Sequence, residues 1–405
     1  MRRREFVAGA AAGAMWAFGS RSSALLDVSG PVPSPPTDAS GVIRVKLFGR
    51  PLVRLDLSAD DALAIQSSSG AVAARSISFD AGMPRVLTAD GRAQSFDGSA
   101  VSISGSGLVA AVASDASGPI ARHGYAGALV VTFTDDGIVV VDVVDVETYV
   151  AATLAAEVSP SWHPQALQAQ AIVARTYALN ARSRSAKRAF DVTDDTSSQV
   201  YRGSDDVAPA FVAAALATAG QALLAGAEFA QVFYSAACGG HTAAVIELTG
   251  KSGPPYLDGI DDSNEVGGAY CSRAPYYQWK NGVAADALAR ALGVATGGLN
   301  DVVITERWPD GRVRSLRIAS ADGASLVMDG HRFYALCAGA LGYKVVPSTL
   351  FDIRRDGAEF AISGHGLGHG VGLCQWGARG RADAGASAES IVRTYFPGTS
   401  LTPRA

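Results

Sequence analysis

Residues 144–182, VDVETYVAATLAAEVSPSWHPQALQAQAIVARTYALNAR, decide the fold. The stretch reads as two helices with a sharp joint between them. Asp145 caps the first helix, whose apolar run passes through Tyr149, Val150, Leu154 and Ala155. Glu157 sits just past that run. Ser159 and Pro160 break the pattern, and Pro164 suits the first position of a second helix. That helix carries Leu167, Ala171, Ala174, Ala178 and Leu179 at three- and four-residue steps, which predicts one small apolar face. Glu157 is therefore a lone acid at a helix end beside a joint. Burial there raises a carboxyl pKa and keeps a proton available near neutrality. The plainer reading of Glu157 is a helix-end carboxylate paired with an arginine.

Upstream, residues 42–143 read as strand after strand. VIRVKLF and LVRLDLS alternate, and ALVVTFTDDGIVVVDVV is two β-branched runs joined by Asp135-Asp136-Gly137, a hairpin cue. Downstream, Asp191, Asp194 and Asp195 form an acidic cluster without the glycine and terminal glutamate of a calcium loop, so a solvated turn is expected. Residues 208–219 predict a small-residue helix stopped by Gly220. QALLAGAEFA predicts a hairpin around Gly226, which runs into Cys238-Gly239-Gly240-His241-Thr242. Glycine pairs let a backbone approach a ligand closely, and Tyr234, His241 and Thr242 are placed to hydrogen-bond it. Residues 276–353 predict an αβ insertion with a turn at Pro309-Asp310-Gly311. No chemistry is visible in it.

The chain closes on FAISGHGLGHGVGLCQWGARGRADAG. His365 and His369 are four apart, but the five glycines between 364 and 372 rule out a helical metal pair. The expectation is a glycine-rich loop holding His369, Gln375 and Trp376, with no metal and no cofactor. Trp376 has an apolar face on which a sugar ring can stack.

These segments carry a resemblance. EVSPSWHPQALQAQAIVARTYAL resembles the signature of the SpoIID/LytB family, the stage II sporulation protein D and amidase-enhancer group. Gln165, Ala166, Leu167, Ala169, Gln170, Ala171, Ala174, Arg175, Thr176 and Tyr177 match it. HGYAGALVV with IVVVDVVDVETYV, then SQVYRG with Gln199, Tyr201 and Gly203, and the Gly-Gly-x-Thr turn also resemble family segments. So does GHGVGLCQWGA, with Cys374 at a usual serine. The resemblance implies a peptidoglycan lytic transglycosylase with Glu157 as acid/base. It implies that Arg175 orients Glu157 or meets substrate, and that Gln199, Tyr201, Tyr234, His241, Thr242, His369 and Gln375 line the groove. An ordinary glycosidase needs two carboxylates, and only one stands in the matched motifs. The LytB branch implies an alternative, a non-catalytic wall-binding enhancer of an amidase. A hydrolase using Asp194 or Asp195 as second acid is a third reading. Some relatives hold zinc ligands near residue 190. This chain has Asp, Thr and Ser there, so no zinc site is expected at that place.

The fold class expected is α+β: an antiparallel β-rich N-terminal domain, a central helical catalytic core with strands, and an αβ insertion. The boundaries are an export signal at 1–24, a Pro/Ser-rich linker at 25–41, the β-rich domain at 42–143, the core at 144–275 and 354–405, and the insertion at 276–353. Arg2, Arg3, Arg4 and Phe6 before a short apolar segment resemble a twin-arginine signal, which predicts export to the periplasm or cell envelope. No later apolar run is long enough to span a membrane. With 34 Lys and Arg against 38 Asp and Glu, the net charge of −4 implies no nucleic-acid partner. Peptidoglycan glycan strands, and an amidase on the alternative reading, are the partners implied. Four cysteines suit an exported chain and permit three pairings. Relatives with cysteines at both places imply a Cys238–Cys271 disulfide, which leaves Cys337 with Cys374.

Overall fold

The computed structural model describes residues 41–402 except 68–69, 81–82, 89–92, 96–99 and 295–297. The export signal and nearly all of the linker lie outside the described residues. The fold is α+β. The chain divides into two compact units, one made of residues 41–160 and Ala174–Gln221, the other of Ser161–Val173 and Ala222–Thr402.

The first unit is built on an eleven-stranded sheet. Its strands are β1 (Val42–Lys46), β2 (Arg54–Ser67), β3 (Gly70–Asp80), β4 (Met83–Thr88), β5 (Ala93–Ser95), β6 (Ala100–Ser104), β7 (Val109–Asp115), β8 (Gly118–Tyr125), β9 (Ala128–Thr134), β10 (Gly137–Asp145) and the short β11 (Val192–Thr193). The order is β11-β1-β10-β9-β6-β2-β3-β4-β5, with β7 joining β2 to β8. All pairs are antiparallel except β1 with β11. A register shift between Ser58 and Leu63 lets β2 pair with β7 along its first half and with β6 along its second. Strand β7 alternates buried and solvent-facing residues, as a one-sided strand must. Strand β10 is buried from Ile138 to Val144, which explains its unbroken β-branched run. The Asp135-Asp136-Gly137 hairpin forms as expected, with Gly137 opposite Thr134.

Helix α1 (Val146–Glu157) follows β10 directly, and Asp145 caps it by accepting from the N–H groups of Glu147 and Thr148. Helix α2 (Pro164–Arg184) begins on its proline, and the division between units falls inside it. Its apolar face is wider than its periodicity predicts. Residues 166–167, 169–176 and 178–179 are all buried. Alanine-rich sequence allows close approach from every side, and a helix covered all round is a core helix. Helix α3 (Pro209–Ala217) packs on α1 and ends before Gly220, which has positive φ.

The second unit holds smaller sheets. Strands β12 (Leu223–Ala225) and β13 (Glu228–Phe229) form the hairpin at Gly226, and β22 (Ser400–Leu401) pairs with β12. The pair β14 (Tyr234–Ser235) and β21 (Leu373–Cys374) is parallel. The insertion holds β15 (Gln278–Ala284), the hairpin β16 (Leu299–Arg307) and β17 (Val313–Ser320), and β18 (Ser325–Asp329). Strands β19 (Phe351–Asp356) and β20 (Glu359–His365) complete a sheet with β15, so this layer extends past residue 353. Helices α5 (Ala285–Leu292) and α6 (Gly330–Leu341) close one core with Leu316 and the stacked Phe333 and Phe351. The remaining helices are α4 (Val245–Thr249), α7 (Gln375–Asp383) and α8 (Ala388–Tyr395). No helix among the described residues is long and apolar enough to cross a membrane.

Candidate active site

Glu157 is the last residue of α1 and is half-buried. Val158 turns extended, with its N–H on the Leu154 carbonyl, so the chain leaves the helix at this acid. Arg175 is 1 % exposed. Its guanidinium grips Glu147 through Nε and Nη2, and the remaining donors reach Thr218 Oγ1 and the carbonyls of Ala215 and Gln221. Arg175 thus ties the first turn of α1 to the end of α3. Glu147 was hidden from sequence reading because Glu157 is the conspicuous acid of the stretch.

Gln199 and Tyr201 are buried in the same unit. Tyr149 of α1 donates to Gln199 Oε1 at 3.1 Å and stacks on Tyr201 with ring centres 5.4 Å apart. Tyr201 in turn donates to Asp142 Oδ2 at 2.7 Å. Burial holds the Tyr149 hydroxyl protonated, and the nearby charges of Glu157 and Asp194 push the same way. Asp142 is fully enclosed. Burial raises its carboxyl to about 7 against the opposing Tyr201 bond. The acidic cluster is less solvated than expected. Asp191 accepts from Arg44 Nε and Nη2 on Oδ1 and from the Arg44 backbone N–H on Oδ2, and Asp194 accepts the Phe48 N–H at 2.7 Å. Burial lifts Asp194 to about 6. Asp195 is committed to its own turn, accepting from Thr193 and Ser197.

The second unit holds the glycine-rich loop. Gly366, Gly368, Gly370 and Gly372 all have positive φ, so every second residue of 366–372 takes a conformation that other residues resist. The loop is stitched to residues 233–243. Leu367 and Ala237 exchange backbone bonds, Ala243 donates to the Gly370 carbonyl, and Leu373 to that of Phe233. His369 is 5 % exposed and set edge-on to Phe233. Its Nδ1 accepts the Val371 N–H at 3.1 Å, which leaves the proton on Nε2. Burial first, then the charges of His331 and Arg312, pull its pKa down to about 3, so the ring is neutral. Thr242 is also buried, with Oγ1 accepting from Ile260 N–H. His241 and Tyr234 are half-buried, and His241 Nδ1 lies 2.8 Å from the Thr242 carbonyl. Gln375 is 2 % exposed, and among the described residues its Nε2 has no protein acceptor.

Trp376 lies against Trp162, edge to face at 5.2 Å, and Arg379 sits over both rings. All three are half-buried, so the cluster presents aromatic surface to solvent. The insertion contributes a residue that sequence reading missed. Arg312 is 1 % exposed, pairs with Asp310 and donates to the carbonyls of Cys238 at 2.6 Å and His241 at 3.1 Å. The only sequence signal for it is a charged residue just after a Pro-Asp-Gly turn. A cleft of about 450 Å³ lined by Trp279, Lys280, Asp352 and His365 shares little with the matched motifs.

The cysteines depart from the expected pairings. All four are free and buried. Cys238 and Cys271 are neighbours, but their sulfurs are 3.7 Å apart, well beyond the roughly 2.05 Å of a disulfide. Cys374 lies with them, accepting the Cys238 N–H, whereas Cys337 is packed in the core of the insertion.

Residues 134–224 match the SpoIID family, described as stage II sporulation protein. An uncharacterized protein of Brachyspira hyodysenteriae is 31 % identical over 281 residues, covering 68 % of this chain and 72 % of its own. The chain belongs to the SpoIID/LytB family. The family's amidase enhancer of Bacillus subtilis is 29 % identical over 61 % of this chain, which spans only 39 % of that protein's length. Stage II sporulation protein D of Bacillus amyloliquefaciens is 27 % identical, covering 65 % of this chain and 75 % of its own. The family match spans α1, Trp162, α2 and the Gln199–Tyr201 segment, and it ends before the glycine-rich loop and Trp376.

Proposed function

We propose that this protein is an exported lytic transglycosylase that cleaves peptidoglycan between N-acetylmuramic acid and N-acetylglucosamine, with Glu157 as the single acid/base. The observation that carries the reading is the place of Glu157: half-buried, last in its helix, at the point where the chain turns extended. Glu157 protonates the departing O4 of N-acetylglucosamine. The resulting carboxylate then takes the proton of the muramic C6 hydroxyl as that oxygen closes on C1. One residue serves both halves, no water is consumed, and a 1,6-anhydro end forms. Asp194 is held by the Phe48 N–H that follows β1 and Asp195 by its own turn, which favours this reading over a two-carboxylate hydrolase.

Arg175, Gln199 and Tyr201, all buried, hold the helix that bears Glu157. The Trp162–Trp376–Arg379 cluster supplies a face for sugar rings, and Gln375, buried at the start of α7, backs that helix. His241 and Tyr234 are the more open members of the matched set and are assigned to substrate, while His369 and Thr242 support the turns beneath them. The reading is tested with purified protein and denuded glycan strands. Wild type shortens the strands, and Glu157→Gln binds them without turnover. Shortening that persists in Glu157→Gln contradicts it.

The second reading is a wall-binding protein that stimulates a separate amidase. It is favoured by the relative named amidase enhancer. In that case strands bind and stay intact, an added amidase turns over faster, and Glu157→Gln changes neither.

A further inference from the structure

Four ligand-type side chains from separate stretches of the second unit meet in one enclosed place. Cys238 follows β14, Asp262 and Cys271 flank a loop bridged by Ser263 and Ala269, and Cys374 ends β21. Their ligand atoms all lie within 4.8 Å of one another. Each residue is 0 % exposed.

Two of the separations match the edges of a coordination shell. Around zinc, with Zn–S bonds of ~2.3 Å, a tetrahedron has S···S edges of roughly 3.8 Å and S···O edges of roughly 3.5 Å. The Cys238 and Cys271 sulfurs are 3.7 Å apart, and Cys238 Sγ is 3.3 Å from Asp262 Oδ2.

The surroundings are also those of a metal site. Asp262 Oδ1 accepts from Arg381 Nε and Nη2 and from the Tyr395 hydroxyl, while Oδ2 faces the sulfurs. Fixing one carboxylate oxygen so that the other points at the ion is a common outer-shell device. Backbone N–H groups aim at the sulfurs, from Gly240 to Cys238 and from Gly377 and Cys238 to Cys374. Such donors stabilise thiolates. Gly377 has no room for a side chain, because a Cβ there would lie 2.2 Å from Asp262 Oδ2.

We propose that Cys238, Asp262, Cys271 and Cys374 bind one zinc ion as a closed structural site. Three sulfurs in a tetrahedral set select against magnesium and calcium, and four protein ligands leave no position for substrate. The ion would clamp the Cys238–Thr242 turn and the start of α7, where Gln375 and Trp376 sit, to the 262–271 loop. It would reinforce a β14–β21 pair only two residues long on each side. The site does not depend on the proposed activity.

The full-length protein, purified without chelator, should carry one zinc per chain by elemental mass spectrometry. A mercurial reagent that takes up thiols should release the zinc. Cobalt exchanged into the protein should show thiolate charge-transfer bands and the intense visible bands of a tetrahedral ion. Cys271→Ser, Cys374→Ser and Asp262→Asn should lose metal to a chelator that leaves wild type loaded. Cys337→Ser, whose thiol lies in the insertion core, should retain it. Metal-free wild-type protein overturns the proposal, whether its thiols are free or a Cys238–Cys271 disulfide is found by peptide mass analysis. A cobalt spectrum without thiolate bands also overturns it. Both wild-type readouts decide the matter even where a variant fails to fold.

Discussion

Arg175 directs every N–H of its guanidinium to a partner, and in its salt bridge with Glu147 the arginine is buried while the glutamate stays 20 % exposed. Removing one member of such a pair strands the other and the carbonyls around it. Arg175→Met should therefore lower unfolding stability by about 3 kcal/mol in a urea titration, the scale of a broken buried pair. Asp142 gives a pH signature. Its carboxyl is raised to about 7 in the fold and lies at 3.8 in the unfolded chain, so between these values the folded state holds the extra proton. Its contribution is fully present below pH 3.8 and is lost as pH rises through 7. Asp142→Asn, which mimics the neutral acid, should remove this loss, so the stability gap between variant and wild type should widen in favour of the variant from pH 4 to pH 7. A constant gap contradicts the assignment. At this scale a motif singles residues out but does not say what they touch. Arg175 stands out by motif, yet its partner lies 28 positions back.

The glycine-rich loop shows what is legible in an element. The density of glycines excludes a helix, and the alternation of positive φ follows from it. Why Gly370 must be glycine is visible only in three dimensions: a Cβ there would lie 2.5 Å from Arg312 Nη2, and φ is +78°. Gly370→Ala should cost about 1–3 kcal/mol, the usual range for a forced backbone conformation. It should also speed hydrogen exchange at Ala243, whose N–H is bonded to the Gly370 carbonyl. Exchange at Ala243 that matches wild type contradicts the stitching role. Hairpins and caps with local chemistry, such as Asp145 and the Asp135-Asp136-Gly137 turn, were readable from sequence. The width of the buried face of α2 was not, because alanine reports small size and not how many neighbours approach. Arg312 escaped for the related reason that its partners come from a segment about 70 residues earlier.

At the scale of the whole molecule, a β-sheet unit carries Glu157 and a second unit carries the glycine loop, the tryptophan pair and the cysteine cluster. The α+β class was legible from strand-rich and helix-rich blocks in order along the chain. The cysteine cluster was not, since its four ligands come from three stretches whose spacing follows no metal motif. On the proposed function, the Glu157 carboxyl alone cleaves a glycosidic bond without water. The most direct measurement is mass analysis of the glycan products made by purified protein in heavy-oxygen water. A lytic transglycosylase yields 1,6-anhydro-muramic ends without the label, and Glu157→Gln yields none. Labelled reducing ends, or anhydro ends made equally well by Glu157→Gln, would contradict it.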